Sequence, residues 1–239
     1  CGMRVLRDAG WTSDHDTEIV RRFRTAGFAI LGKTNLPELA TSATTEPLAY
    51  GPTRNPWNLD HSPGGSSGGS GAAVASGMVA VAHGNDMGGS IRIPSSACGL
   101  VGLKPTRARS SLGPDFGEYW ALTTHEHVLT RSVRDTAAVL DAVAGPAPGD
   151  PYTAPPPARP YAAEVGADPG RLRIGFRTRL RRRDEDAHPE CVAAVHATAR
   201  LLEELGHHVE DVALPALDDP AHDDAIAGTF AVFVARDLD

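Results

Sequence analysis

Gly64-Gly65-Ser66-Ser67-Gly68-Gly69-Ser70-Gly71 and Gly84-Asn85-Asp86-Met87-Gly88-Gly89-Ser90-Ile91-Arg92-Ile93-Pro94 are the two stretches that decide the fold, with Ser90 standing 24 residues after Ser66. Taken alone, the first run is open to three readings. As a Gly/Ser linker it would be flexible, but ordered-looking elements flank it on both sides. As Gly-x-Ser-x-Gly it fits a nucleophile elbow, which needs an apolar strand directly before it. The preceding Trp57-Asn58-Leu59-Asp60-His61-Ser62-Pro63 is turn-rich instead. The third reading joins the two runs. Glycines before a serine let backbone N–H groups crowd a reacting carbonyl, as stabilising an oxyanion requires.

Outward from these runs, residues 14–26 read as a helix closed by Gly27, and Phe28-Ala29-Ile30-Leu31 as a short buried strand. Pro37 opens a helix over 38–44, and 50–70 is loop by composition. A small-residue helix (72–77), a strand (78–82), a glycine turn (84–89) and another helix follow, and 129–144 reads as a helix. Residues 145–160 are crowded with proline, and beyond them come a strand (172–176), a helix (189–205) and a strand (209–214). The alternation predicts an α/β protein with a mixed sheet flanked by helices. The expected organisation is a core over 1–145, a Pro-rich crossing at 146–164 and a second α/β lobe over 165–239. A first residue Cys1 and the apolar end Phe230-Ala231-Val232-Phe233-Val234 suggest an internal piece of a longer protein.

Composition removes several functions. The 239 residues carry a net charge of −7, so no basic field invites nucleic acid. Apolar runs such as 28–31 are far short of the ~20 residues that span a bilayer. No export signal opens the chain, and the three cysteines, Cys1, Cys98 and Cys191, show no CxxC pairing. A cytoplasmic, reducing location is expected. Cys98 reads as a small buried residue. His125, His127, His207 and His208 form no metal-binding face. Gly27 to Thr34 matches G-x-x-x-x-G-K-[ST], yet a helix precedes it and its four intervening residues are apolar strand, so phosphate binding is rejected. Seven arginines between Arg171 and Arg183 run straight into Asp184-Glu185-Asp186 and read as a solvated face.

Residues 64–106 resemble the amidase signature family, the Ser–cis-Ser–Lys amidohydrolases. The likeness extends to Gly32-Lys33-Thr34-Asn35, Gly51-Pro52-Thr53-Arg54-Asn55-Pro56-Trp57, Gly102-Leu103-Lys104-Pro105-Thr106 and Thr130-Arg131-Ser132-Val133-Arg134-Asp135. It implies the family's α/β fold, here incomplete, and hydrolysis of a carboxamide through a seryl acyl-enzyme. By that resemblance Ser90 matches the nucleophile and Ser66 the bridging serine, the two hydroxyls lying within hydrogen-bonding reach. The Gly65–Ser66 peptide is expected to be cis. Met87, Gly88, Gly89 and Ser90 match the oxyanion-hole backbone, and Gly65 and Asn85 fall at substrate-binding positions. Asp86 is expected to hold backbone N–H groups and Arg92. The relay's lysine is expected upstream of Cys1, because Lys33 and Lys104, the two lysines present, match non-catalytic segments.

The resemblance further implies no cofactor and no metal, a small-molecule amide as partner rather than nucleic acid or membrane, and is compatible with a homodimer for the complete protein. The stretches 111–118 and 127–132 look more like the branch of the 6-aminohexanoate cyclic-dimer hydrolases than like the amide-cleaving subunit of the glutamine-using amidotransferases, which works with partner chains and tRNA. That glutamine amidotransferase reading, and a degenerate non-catalytic member, are the alternatives.

Overall fold

A computed structural model describes residues 2–179 and 187–238. These fall into two compact units, Cys1–Gly166 and Ala167–Asp239. In the first, a short helix α1 (Arg4–Asp8) is followed by α2 (Glu18–Thr25). The helix expected from residue 14 starts four residues later, because the acidic side chains before it are used elsewhere: Asp14 pairs with His15 at 2.7 Å and Asp16 with Arg24 at 2.6 Å. Residues 28–31 form no strand. Leu31 is 78% exposed, and no neighbouring strand among the described residues supplies the hydrogen bonds a β conformation needs. The helix expected over 38–44 is a single 3₁₀ turn, Glu38–Ala40, ended by positive φ at Leu39 and Ala40.

The Gly/Ser run is helical where composition suggests loop: α3 spans Gly68–Ala75. Next, β1 (Val81–Asp86) continues through the stretch expected to turn at Gly84. Gly84 is there for packing. A Cβ on it would lie 2.8 Å from Leu129 Cδ1 and 2.9 Å from Ser67 Oγ. The helix α4 (Arg92–Cys98) ends at Gly99, whose φ of 67° is left-handed. Trp57 Nε1 and Asn55 Nδ2 donate to the Cys98 and Ala97 carbonyls at 2.8 and 2.9 Å, closing the end of α4 from the Gly51–Trp57 segment.

After β2 (Val101–Gly102), β3 (His125–Thr130) takes Leu129 and Thr130, which apolar spacing assigns to a helix. That helix, α5 (Val133–Val143), begins only at its N-cap Ser132, whose hydroxyl accepts from the Asp135 amide at 3.1 Å. The three strands run in the order β1-β3-β2, all antiparallel, with Gly84 opposite His127 and Asp86 opposite His125. Alternation then sorts side chains by face. Val128 packs with Ile19 and Phe23 of α2 and Val139 and Val143 of α5, each buried side chain contributing roughly 1.5–3 kcal/mol. Arg22 fastens the same pair of helices by donating to the Val143 and Gly145 carbonyls at 2.6 and 2.7 Å. The other face carries Gly84, Asp86, His127 and Leu129, and lies toward Ser67 and Ile91.

In the second unit β4 (Arg173–Phe176) and β5 (His208–Asp211) pair in parallel through α6 (Pro189–Glu204), and α7 (Pro215–Asp218) and α8 (Pro220–Leu238) follow. The strand expected to reach residue 214 stops at Asp211, and the apolar residues 230–234 belong to α8. Of the arginine strip, Arg173 pairs with Glu210 and Arg177 with Asp218. Arg181, Arg182, Arg183 and the acidic triplet 184–186 lie outside the described residues, as does Cys1. Antiparallel and parallel pairing between helices make this a mixed α/β chain. No helix among the described residues is long and apolar enough to cross a membrane.

Candidate active site

The two Gly–Ser runs meet. Ser67 donates its backbone N–H to the Ser90 carbonyl at 3.2 Å, and its hydroxyl lies 3.5 Å from the Asn85 carbonyl. The Gly65–Ser66 peptide is cis. Bare glycines let this segment be seated: a Cβ on Gly65 would fall 2.6 Å from the Ser42 carbonyl oxygen, and one on Gly68 2.2 Å from Thr45 Oγ1. Thr45, fully buried, donates from that Oγ1 to the Gly64 carbonyl at 2.9 Å. Nothing in its own Thr44-Thr45-Glu46 context marks it, so sequence reading misses it.

Ser66 is completely buried and its hydroxyl makes no hydrogen bond among the described residues. A direct hydrogen bond between the Ser66 and Ser90 hydroxyls, which are expected to lie within reach of one another, is not present among the described residues. Neither lysine supplies a partner: Lys33 is exposed, and Lys104 is engaged with Met87 and Asp86. Ser90 itself is half-buried, at the turn between β1 and α4. The amides of Gly88, Gly89 and Ser90 donate to no protein acceptor among the described residues. Gly89 has φ 141°, and a Cβ there would meet Ile93 Cδ1 at 2.7 Å, so the turn depends on glycine at this point.

Asp86 organises the turn without facing it as a base. Its fully buried carboxylate accepts from the Ile91 and Arg92 amides at 3.1 and 3.2 Å and from the Arg92 guanidinium at 2.9 Å. Burial alone would raise its pKa; the Arg92 side chain and the two amides overcome this and hold it below the ordinary carboxylate range. Lys104 donates to the Met87 carbonyl at 2.6 Å and stands 3.5 Å from Asp86. Burial lowers its pKa, opposed by Asp86. Asn85 alternates with Gly84 and Asp86, so its side chain belongs to the opposite face of β1, and it is its carbonyl that lies toward Ser67.

Cys98 is buried with its thiol pushed up to about 11 by burial, the environment of an inert thiol. His127 is fully buried, and burial pushes its pKa down to about 4 against the opposing pull of the nearby Leu103 backbone. Among the described residues no group of three or more His, Cys, Asp or Glu side chains is placed to hold a metal.

A family model for amidases matches residues 1–235. The chain belongs to the amidase family. Among amidases of known sequence it is 49% identical to the 6-aminohexanoate-cyclic-dimer hydrolase of Paenarthrobacter ureafaciens, over 99% of this chain and 48% of that protein. A solved structure of 6-aminohexanoate cyclic dimer hydrolase complexed with substrate superposes with a TM-score of 0.88 at 50% identity, covering 92% of this chain and 46% of that one. The A-type subunit of the glutamyl-tRNA(Gln) amidotransferase from Thermotoga maritima matches over 99% of this chain and 56% of its own length at 31% identity, TM-score 0.77. The chain thus spans about half the length of the curated amidases it matches. The expected fold and family stand.

Proposed function

We propose that this chain carries the nucleophile and anion-stabilising turn of an enzyme that hydrolyses a carboxamide C–N bond. The observation that carries the reading is the Ser67 N–H to Ser90 carbonyl bond, which sets the Ser66 segment against the Met87–Ser90 turn. In this reading the Ser90 hydroxyl attacks the substrate carbonyl carbon and its proton passes to Ser66 Oγ. The Ser66 proton passes in turn to a lysine amine, supplied from outside residues 1–239. The tetrahedral oxyanion is held by the Gly88, Gly89 and Ser90 amides, with the Met87 peptide completing the turn. Collapse breaks the C–N bond, the relay returns the proton to the leaving nitrogen, and water releases the acyl group from Ser90.

Likeness to a hydrolase of a cyclic dimer of 6-aminohexanoate supports a cyclic or linear amide of an ω-amino acid as the substrate class. A second reading, the amide-cleaving component of an amidotransferase, is supported by the match over nearly the whole chain, at lower identity. The test uses a chimaera in which the flanking parts of the 49% identical relative complete this chain. Hydrolysis of the cyclic dimer, with a fluorophosphonate probe captured on Ser90 and lost in Ser90→Ala, is expected. Label on Ser66 or Ser67 instead would restore the nucleophile-elbow reading. Activity seen only on glutamine with tRNA-binding partners present would favour the amidotransferase.

A further inference from the structure

We infer that Lys104 is a positioning residue for the anion-stabilising turn, holding the Met87 carbonyl and thereby polarising the amide of Gly88 toward a developing oxyanion. This rests on the amide-hydrolase reading above and assigns a role to a lysine that the family resemblance leaves outside the relay.

The geometry is that of a turn pinned at three places. At its end, the Asp86 carboxylate takes the Ile91 and Arg92 amides, and the Ser90 carbonyl is held by Ser67 N–H. At its beginning, Lys104 Nζ donates to the Met87 carbonyl at 2.6 Å. Met87 C=O and Gly88 N–H belong to one peptide group. A donor on that oxygen draws electron density from the nitrogen and makes the Gly88 proton a stronger donor. Hydrogen-bonded chains strengthen one another in this way by ~10–30% per bond, and a cationic donor makes a bond roughly twice as strong as a neutral one.

Lys104 is fixed in this position by its backbone. It follows β2, whose Val101 and Gly102 pair with Thr130 and Leu129 of β3, and it precedes the buried Pro105. Asp86, 3.5 Å from Nζ, supplies the counter-charge that burial would otherwise make costly to forgo. Arg92 shares that carboxylate but donates nothing to Met87 among the described residues, so the two cations have different duties: Arg92 locks the start of α4, and Lys104 locks the turn.

The experiment is an amide NMR spectrum of isotope-labelled residues 1–239, a readout that needs no turnover. Lys104→Met is expected to move the Gly88 amide proton upfield, more than those of Gly89 or Ser90, while core amides such as Val139 stay in place. Lys104→Arg restores the Gly88 shift. An unchanged Gly88 resonance in Lys104→Met, or failure of arginine to restore it, overturns the proposal. Should Lys104→Met not fold, alkaline titration of the unaltered chain decides. The Met87 carbonyl carbon, which does not exchange, is expected to move with the same midpoint as Lys104 Cε, and independent movement overturns the inference. Failure of the hydrolase reading would show separately, as absent amide hydrolysis in the completed chimaera.

Discussion

Ser67 N–H and the Ser90 carbonyl, 3.2 Å apart, join two glycine-rich turns that the chain separates by a helix and a strand. The bond makes the start of α3 and the start of α4 one structural unit. What disturbs either turn should therefore be felt in both.

The glycines of this unit differ sharply in what they tolerate. Gly68→Ala drives a methyl to 2.2 Å from Thr45 Oγ1, whereas a Cβ on Gly88 meets nothing within 4 Å. Gly68→Ala is expected to lose about 1–3 kcal/mol, and Gly88→Ala to denature within about 0.5 kcal/mol of the parent chain. Urea midpoints measure both. Equal losses would show that the two turns are not packed as described.

Asp86→Ala should be costly, because it leaves Arg92 unpaired and the Ile91 and Arg92 amides without their acceptor. Removing one partner of a buried pair costs about 3–5 kcal/mol, reduced here by Arg92, whose side chain is half exposed. Its titration has a definite sign. The folded pKa is depressed, so the stabilisation is complete above the unfolded carboxylate range and is lost as pH falls through the lower folded value. Acid unfolding of Asp86→Asn should show a shallower dependence in that range than the parent chain.

His127 gives a separate window at higher pH. Its folded pKa of about 4 lies below the ordinary 6.5, so neutral His127 contributes fully above 6.5 and its contribution falls away between pH 6.5 and 4 as the unfolded state takes up the proton. The loss approaches about 3 kcal/mol. His127→Phe should flatten the urea midpoint across that interval while leaving Asp86's acid limb unchanged. An identical pH profile in the variant would mean His127 is not buried neutral.

Much of this is legible in the sequence, for a physical reason. The Gly65–Ser66 segment and the 87–90 turn depend on glycine geometry, and the Asp86 carboxylate gathers the backbone N–H groups that follow it, features that leave a local mark in the sequence. Asp86 holds Ile91 and Arg92 as expected. Strand limits are not legible. Gly84 reads as a turn residue because glycine usually marks one, but here it clears space for Leu129 and Ser67, neighbours that a local pattern does not reveal. Leu129 fits a helical stripe, yet β1 takes it as the strand partner of Ala82. Thr45 and Lys104 reach across the fold to the Gly64 and Met87 carbonyls, and composition carries no trace of such contacts.

Thiol chemistry separates Cys98 from the serines. With its pKa at about 11 and its sulfur buried, Cys98 should resist iodoacetamide at mildly alkaline pH in the folded chain, while the exposed Cys191 reacts. Peptide mapping after denaturation should then find Cys98 modified. Rapid native alkylation of Cys98 would return it to the pool of candidate nucleophiles.

Residues 1–239 by themselves are expected to hydrolyse no amide, and the lysines decide this. A proton relay through Ser66 needs a neutral amine within about 2.6–3.2 Å of its hydroxyl, or one water away. Lys33 is exposed, and Lys104 is held by the Met87 carbonyl and the Asp86 carboxylate. Ser66 Oγ has no hydrogen-bond partner among the described residues. Without an acceptor, Ser90 keeps its proton and stays a weak nucleophile, however well the Gly88 and Gly89 amides are aimed. Oxyanion stabilisation alone leaves a residual rate in serine hydrolases, so the assay should be sensitive: release of amine from an activated anilide, compared with Ser90→Ala as blank. No difference between the two is the expected result, and joining the flanking parts of the 49% identical relative should create one. Ser90-dependent turnover by the bare chain would refute the assignment. Lys104→Arg would then separate the causes, since arginine keeps the hydrogen bond to Met87 but cannot act as a base at neutral pH.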